Sequence, residues 1–307
     1  MSKPTYQQVH IDVPLTNVSV AYTPGQFIAG QLFPMVPVEH ISDKYFIYTK
    51  ADWLRNEVGV RAPGTKANRG DYGLTVGSYF VTEKAIAKGV PDEITQNADN
   101  PLKPLEDATK WATTQLYQKM EIDVAATAFG AGWSASATPA TLWSNDTSDP
   151  LGDFATAYNG VLGTIGVAPN KAAVGYGAWR FLKNHPDIVE RIKYGAGPTS
   201  PAIVAAKAVA ALIELDDLLI GTSIQDSAAE GATSSISYIW GNHALVAYVA
   251  GGPSLMEPSA GYVFTYAQRQ VTRFREDQNR QDVVEARWSY AANAVAADAG
   301  YFLKSVA

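Results

Sequence analysis

The sequence predicts an α+β fold in which an apolar arm and a long β-hairpin lead into a long helix, a compact α/β unit and closing strands. Three observations carry this reading. Two β-forming runs flank a glycine- and proline-rich loop within residues 41–86. A single helical period runs through 101–129. Short strand and helix signals then alternate from 154 to about 260, and strand signals return from 262.

Bulk properties set the frame. A length of 307 residues suits two ordinary domains or one large elaborated one. The 47% hydrophobic content supplies a real core, while charged residues make up only 18%, below the usual quarter. Such a chain either has a generous core or hides surface against partners. The net charge of −6 argues against gripping nucleic acid through its phosphates, though not against enclosing it. The absence of cysteine excludes disulfides, thiolate nucleophiles and zinc–cysteine sites. Residues 1–13 are polar and lack the apolar core of a signal peptide. The most apolar long stretch, 201–213, is too short for a membrane span and carries Lys207. A soluble protein made in a cytoplasm is the expectation.

Residues 1–40 read as an extended arm. Pro4, Pro14, Pro24, Pro34 and Pro37 exclude a long helix. Yet Phe27, Ile28, Leu32, Phe33 and Val36 need burial that an extended segment cannot supply from within itself, so the arm lies on its own domain or on a neighbour. Residues 41–86 read as a long hairpin with runs Ile41 to Trp53 and Leu74 to Ile86. The loop between them is locally basic through Arg61, Lys66 and Arg69. A two-stranded ribbon is marginal alone in water, so it too needs outside support.

The helix over 101–129 begins with Pro104 in its first turn, and Glu106 and Asp107 complement its positive end. Leu105, Ala108, Ala112, Leu116, Met120, Val124 and Ala128 form one apolar stripe, and Gly130 is a natural stop. Residues 131–153 are small and polar and read as a loop or boundary. Beyond them, helices are expected at Phe154 to Leu162, Gly177 to Asn184, Pro186 to Ile192 and Ser200 to Leu215. Strands are expected at Lys171 to Gly175, Leu218 to Ile224, Ile236 to Trp240 and Leu245 to Val249. Two further strand regions, Tyr262 to Arg275 and Val283 to Tyr290, flank a polar turn.

No string in the chain carries catalysis or a cofactor. His10, His40, His185 and His243 are far apart and read as surface or packing histidines rather than metal ligands. The glycines at 175, 177, 195 and 197 miss the dinucleotide pattern, and the phosphate-loop and nucleophile-elbow strings are absent. Asp216 and Asp217 are adjacent and so face apart, as at a helix end or turn. The mixed cluster from Arg269 to Arg287 reads as a solvated strand face or as ion pairs between subunits. No catalytic, cofactor or metal site is expected.

This order of elements resembles the major capsid proteins of tailed phages, whose Hong Kong 97-like fold is shared with encapsulins. Three strings add to the likeness: residues 184–192 resemble an axial-domain helix start, 239–249 the strand–turn–strand near the axial tip, and 298–304 the closing peripheral strand. The resemblance implies an N-terminal arm (1–40), an E-loop hairpin (41–86), a peripheral domain with the spine helix (87–153), an axial domain (154–260) and a return to the peripheral domain (261–307). It implies self-assembly into pentamers and hexamers of an icosahedral head that encloses double-stranded DNA without sequence-specific binding. Phe27, Phe33, Arg61, Lys66 and Arg69 are the expected contacts between subunits. No long charged segment of the kind some relatives cleave off precedes the arm, so a separate scaffolding protein is expected, beside a portal; whether decoration proteins join them stays open. No membrane and no cofactor take part. Two other readings stay open: an encapsulin-like compartment, and a soluble α/β enzyme with a dispersed site in 154–260.

Overall fold

The computed structural model describes residues 27–48, 54–71, 73–98, 101–130, 132–196, 204–253, 257–267 and 269–307. The arm before Phe27 and the expected helix start at Ser200 lie outside these residues. A short helix α1 (Ala29–Leu32) and strand β1 (Met35–Pro37) open the described chain. Strands β2 (Ser42–Tyr48) and β3 (Leu74–Phe80) form the expected hairpin in antiparallel register. The second run does not continue as one strand. After Val81 the chain enters β4 (Thr82–Pro91), which leaves the hairpin and joins the main sheet. The helix α2 (Asp92–Gln96) follows.

The long helix α3 (Pro104–Ala128) has 25 residues and spans about 38 Å at 1.5 Å per residue. Its predicted stripe is the buried one: Ala108, Ala112, Leu116, Met120, Val124 and Ala128 all face inward. They pack on the first sheet, whose core strand is β13 (Gln281–Ala294). β13 runs antiparallel to β4 along one edge, and to β11 (Gly261–Thr265) and β12 (Gln270–Glu276) along the other. Its alternation buries Val284, Ala286, Trp288 and Tyr290, one face of a pleated strand. Trp288 meets Tyr117 of α3 edge-on, with ring centres 5.6 Å apart. The region Tyr262 to Arg275 is thus two strands, because both must reach the same neighbour at different points along it.

The second sheet has the order β5 (Ala135–Ala137), β14 (Gly300–Leu303), β10 (Ala244–Ala247), β6 (Lys171–Gly175) and β7 (Asp217–Gly221). Helices α4 (Pro150–Ile165), α5 (Tyr176–Leu182), α6 (Pro186–Ala196) and α7 (Ala206–Leu212) accompany it. α4 is capped by Asp149, whose carboxylate accepts from the N–H of Gly152 at 2.8 Å, and it ends on Gly166 at φ 72°. Trp143, Phe154, Leu182 and Ile188 are buried in the core of this half. A small separate ribbon, β8 (Ile224–Asp226) and β9 (Ile236–Tyr238), projects from it.

The closing residues divide between the two sheets. β14 does not close the first sheet: it lies inside the second, antiparallel to β10 and parallel to β5. The unit 154–260 therefore borrows strands from residues 135–137 and 300–303 and is not self-contained. A short strand's hydrogen-bond partners are invisible in its own residues, so its sheet could not be read from 298–304 alone.

Candidate assembly surfaces

The hairpin has two unlike faces. Residues directly opposite in an antiparallel pair share a face, and faces alternate along each strand. Tyr45 and Tyr79 point toward the subunit's own body, stacking on Phe264 with ring centres 5.8 and 4.6 Å away. Gly77 lies opposite Tyr45, and any side chain there would meet the tyrosine ring within 2.4 Å. The other face carries Phe46 opposite Val76 and Phe80 opposite Ser42. Phe46, Val76 and Phe80 are 58%, 53% and 66% exposed, so this is an apolar strip facing water.

Beyond the strands the tip, residues 54–71, is exposed throughout. Val58 and Val60 protrude there beside Arg61, Lys66 and Arg69. Thr65 closes a turn on the carbonyl of Ala62, and Gly64 at φ 80° adopts the left-handed conformation that this turn needs. The three basic residues expected at subunit contacts thus lie together at the far end of the ribbon.

The two expected aromatic contacts lie elsewhere. Phe33 is 0% exposed and belongs to the core formed with Leu116, Met120 and Val263. It packs within its own chain. Hydrophobicity in an arm shows that a residue needs cover, not which molecule supplies it. Phe27 is half-buried and stacks on Tyr117 of α3 at 6.2 Å. Residues 27–38 therefore have a home within the chain, with β1 parallel to β11.

Part of the mixed-charge cluster forms pairs inside the chain. Arg275 grips Asp92 with both terminal nitrogens at 2.5 and 2.6 Å, and Arg273 pairs with Asp282 at 2.6 Å. The Arg275 hydrogen bonds hold the Asp92 carboxyl below the usual carboxylate range. Arg269 lies over the Tyr117 ring at 4.7 Å. Asp216 and Asp217 sit at a turn, both donating backbone N–H groups to the carbonyl of Asn170. His185 is buried, with Nε2 3.1 Å from the hydroxyl of Ser148, and His243 accepts from the N–H of Ser305 at 2.9 Å. Both act as packing histidines. Among the described residues no group of three or more His, Asp or Glu could hold a metal ion, and no helix is long and apolar enough to cross a membrane.

One buried charge went unread in the sequence. Glu121 of α3 is fully buried, and its carboxylate accepts four hydrogen bonds. Oε1 takes those of Ile28 N, Ser223 Oγ and Trp240 Nε1, at 3.0, 3.2 and 2.6 Å. Oε2 takes that of Ala29 N at 2.9 Å. Burial pushes the carboxyl's pKa up, and the four hydrogen bonds offset only part of that. The available signal was a carboxylate four residues from both Tyr117 and Ala125, on the inward side of an apolar helix.

Two sheets, a long helix across one of them and a projecting ribbon with one exposed apolar face are the arrangement found in phage capsid proteins of the Hong Kong 97-like fold. Solved structures bear this out. A phage-related protein from Bordetella bronchiseptica RB50 superposes with a TM-score of 0.67 at 22% identity, covering 93% of this chain and 94% of that one. The mature capsid of bacteriophage PhiM1 superposes with a TM-score of 0.61 at 11% identity, covering 96% and 92%. The chain's curated homologues are major capsid proteins of phages. That of Burkholderia phage BcepMu is 26% identical over 309 residues, covering 96% of each chain. That of Pseudomonas phage JBD67 is 26% identical over 243 residues, covering 78% of this chain and 77% of its own. No family model matches the sequence.

Proposed function

We propose that this chain is the major capsid protein of a phage, forming pentamers and hexamers of an icosahedral head. The observation that carries the reading is the strip Phe46, Val76 and Phe80 on a ribbon whose other face is already used. An isolated ribbon with exposed aromatic side chains is poorly stable in water, and a second subunit beneath it would bury the strip. In this reading the hairpin lies across an adjacent copy, with Arg61, Lys66 and Arg69 meeting that copy's more acidic surface. Interfaces of obligate assemblies commonly bury roughly 2,000–5,000 Å². A ribbon reaching beyond its own body suits that scale.

The role is mechanical and needs no catalytic step. Double-stranded DNA is enclosed rather than read, in keeping with the net charge of −6. A scaffolding protein and a portal complete the assembly, which takes place in the host cytoplasm and ends in the virion. The curated relatives favour a phage head over a protein-storage compartment of similar fold. Negative-stain electron microscopy of the full-length chain, expressed with and without its neighbouring phage genes, tests the proposal. Closed shells are expected, with nuclease-protected DNA when packaging proteins are present. A monodisperse monomer under every condition would overturn it.

A further inference from the structure

We infer that Glu121 couples the root of the arm to the β8–β9 ribbon, so that loosening either one loosens the other. The two segments meet at one carboxylate. Ile28 and Ala29 donate from the arm side, while Ser223 and Trp240 donate from the residues just before β8 and just after β9. Oε1 is shared, since it accepts from both sides. Ser223 and Trp240 are themselves fully buried, and among the described residues no cation pairs with the charge.

The coupling arises from desolvation. A buried ionised group is tolerated only while its hydrogen-bond capacity is filled. That cost falls once on the carboxylate but is offset by donors from two segments. If the arm root lifts, water reaches Glu121 and can replace the ribbon's donors as well. If a ribbon donor is lost, the buried charge is under-satisfied, and lifting the arm to admit water becomes easier. Packing alone would not produce this dependence, because apolar neighbours gain nothing from water. The inference concerns one subunit and does not rest on the shell reading.

Hydrogen exchange of the full-length chain tests it by perturbing one end and reading the other. Ser223→Ala and Trp240→Phe each delete one donor on the ribbon side and leave the arm residues unchanged. In both, the amides of Ile28 and Ala29 should exchange about tenfold faster or more, the scale of a lost hydrogen bond to a charged group. Glu121→Gln should speed exchange at residues 28–29 and across 224–238 together. Ile239→Ala, a packing change beside Trp240 that keeps every donor, should leave the two arm amides at their original rates. Unchanged arm amides in Ser223→Ala and Trp240→Phe would overturn the inference, as would equal acceleration in Ile239→Ala. Ser223→Ala removes a single oxygen and keeps the test available should the tryptophan variant not fold.

Discussion

Phe46 and Val76 stand directly opposite each other across the β2–β3 ribbon, and both side chains face solvent. On the reverse of the same ribbon Tyr45 and Tyr79 are held against Phe264. The ribbon is thus fastened to its own subunit by one face and open on the other.

Replacing Phe46 and Val76 by serine should leave the subunit folded and abolish particles. Burying two such side chains is worth roughly 3–6 kcal/mol per contact, repeated at every subunit of a shell. Circular dichroism should match that of the parent chain, while sedimentation velocity should find only small species. A normal yield of particles would show that the strip is not an interface.

Neutralising the tip as Arg61→Gln, Lys66→Gln and Arg69→Gln should slow assembly at low salt and make its rate less dependent on ionic strength. Exposed charges steer encounters over about 10 Å at 0.1 M salt. Light scattering against salt concentration measures this. Parallel slopes for the variant and the parent would remove the tip from the encounter.

Phe33→Ala should destabilise the subunit itself by about 3–5 kcal/mol, the usual cost of emptying a buried phenylalanine site. Gly261→Ala should also destabilise it, because a methyl group there would lie 2.9 Å from the Phe33 ring. Urea denaturation of unassembled subunits gives both values. A change in assembly with stability intact would make Phe33 a contact between subunits.

Asp92→Asn should lower the subunit's melting temperature slightly at neutral pH, and the difference should fade in acid. Asp92 titrates below its ordinary value of 3.8 in the folded chain because Arg275 hydrogen-bonds it. A depressed folded-state pKa contributes stability above the unfolded value, and that contribution is lost as pH falls through the folded one. Melting curves of the two proteins from neutral pH to below 3.8 should therefore converge. A constant gap would assign the effect to packing instead.

The candidate surface was partly legible in the sequence. The ribbon and its basic tip followed from two β-forming runs around Gly59, Pro63 and Gly64. Which face of the ribbon was free did not follow, because both faces carry aromatic residues. Tyr79 and Phe80 are adjacent and both hydrophobic, and only the position of Phe264 buries the first and leaves the second exposed. Nor does the sequence show that Phe33 is covered by its own chain, or that Glu121 is buried rather than an ordinary helix carboxylate.

The sequence by itself determined whatever depends on near neighbours along the chain. The bounds of β6 at Lys171–Gly175, the buried stripe of α3 and the inward alternation of β13 all follow from local period, caps and breakers. The tertiary structure alone decided which distant segments meet. It set β1 beside β11, placed β14 between β5 and β10, and brought four donors from two segments to one carboxylate. The reason is physical: a helix satisfies its backbone from within, so its residues report its structure. A strand or a buried charge is satisfied from elsewhere, and its own residues carry no record of the partner.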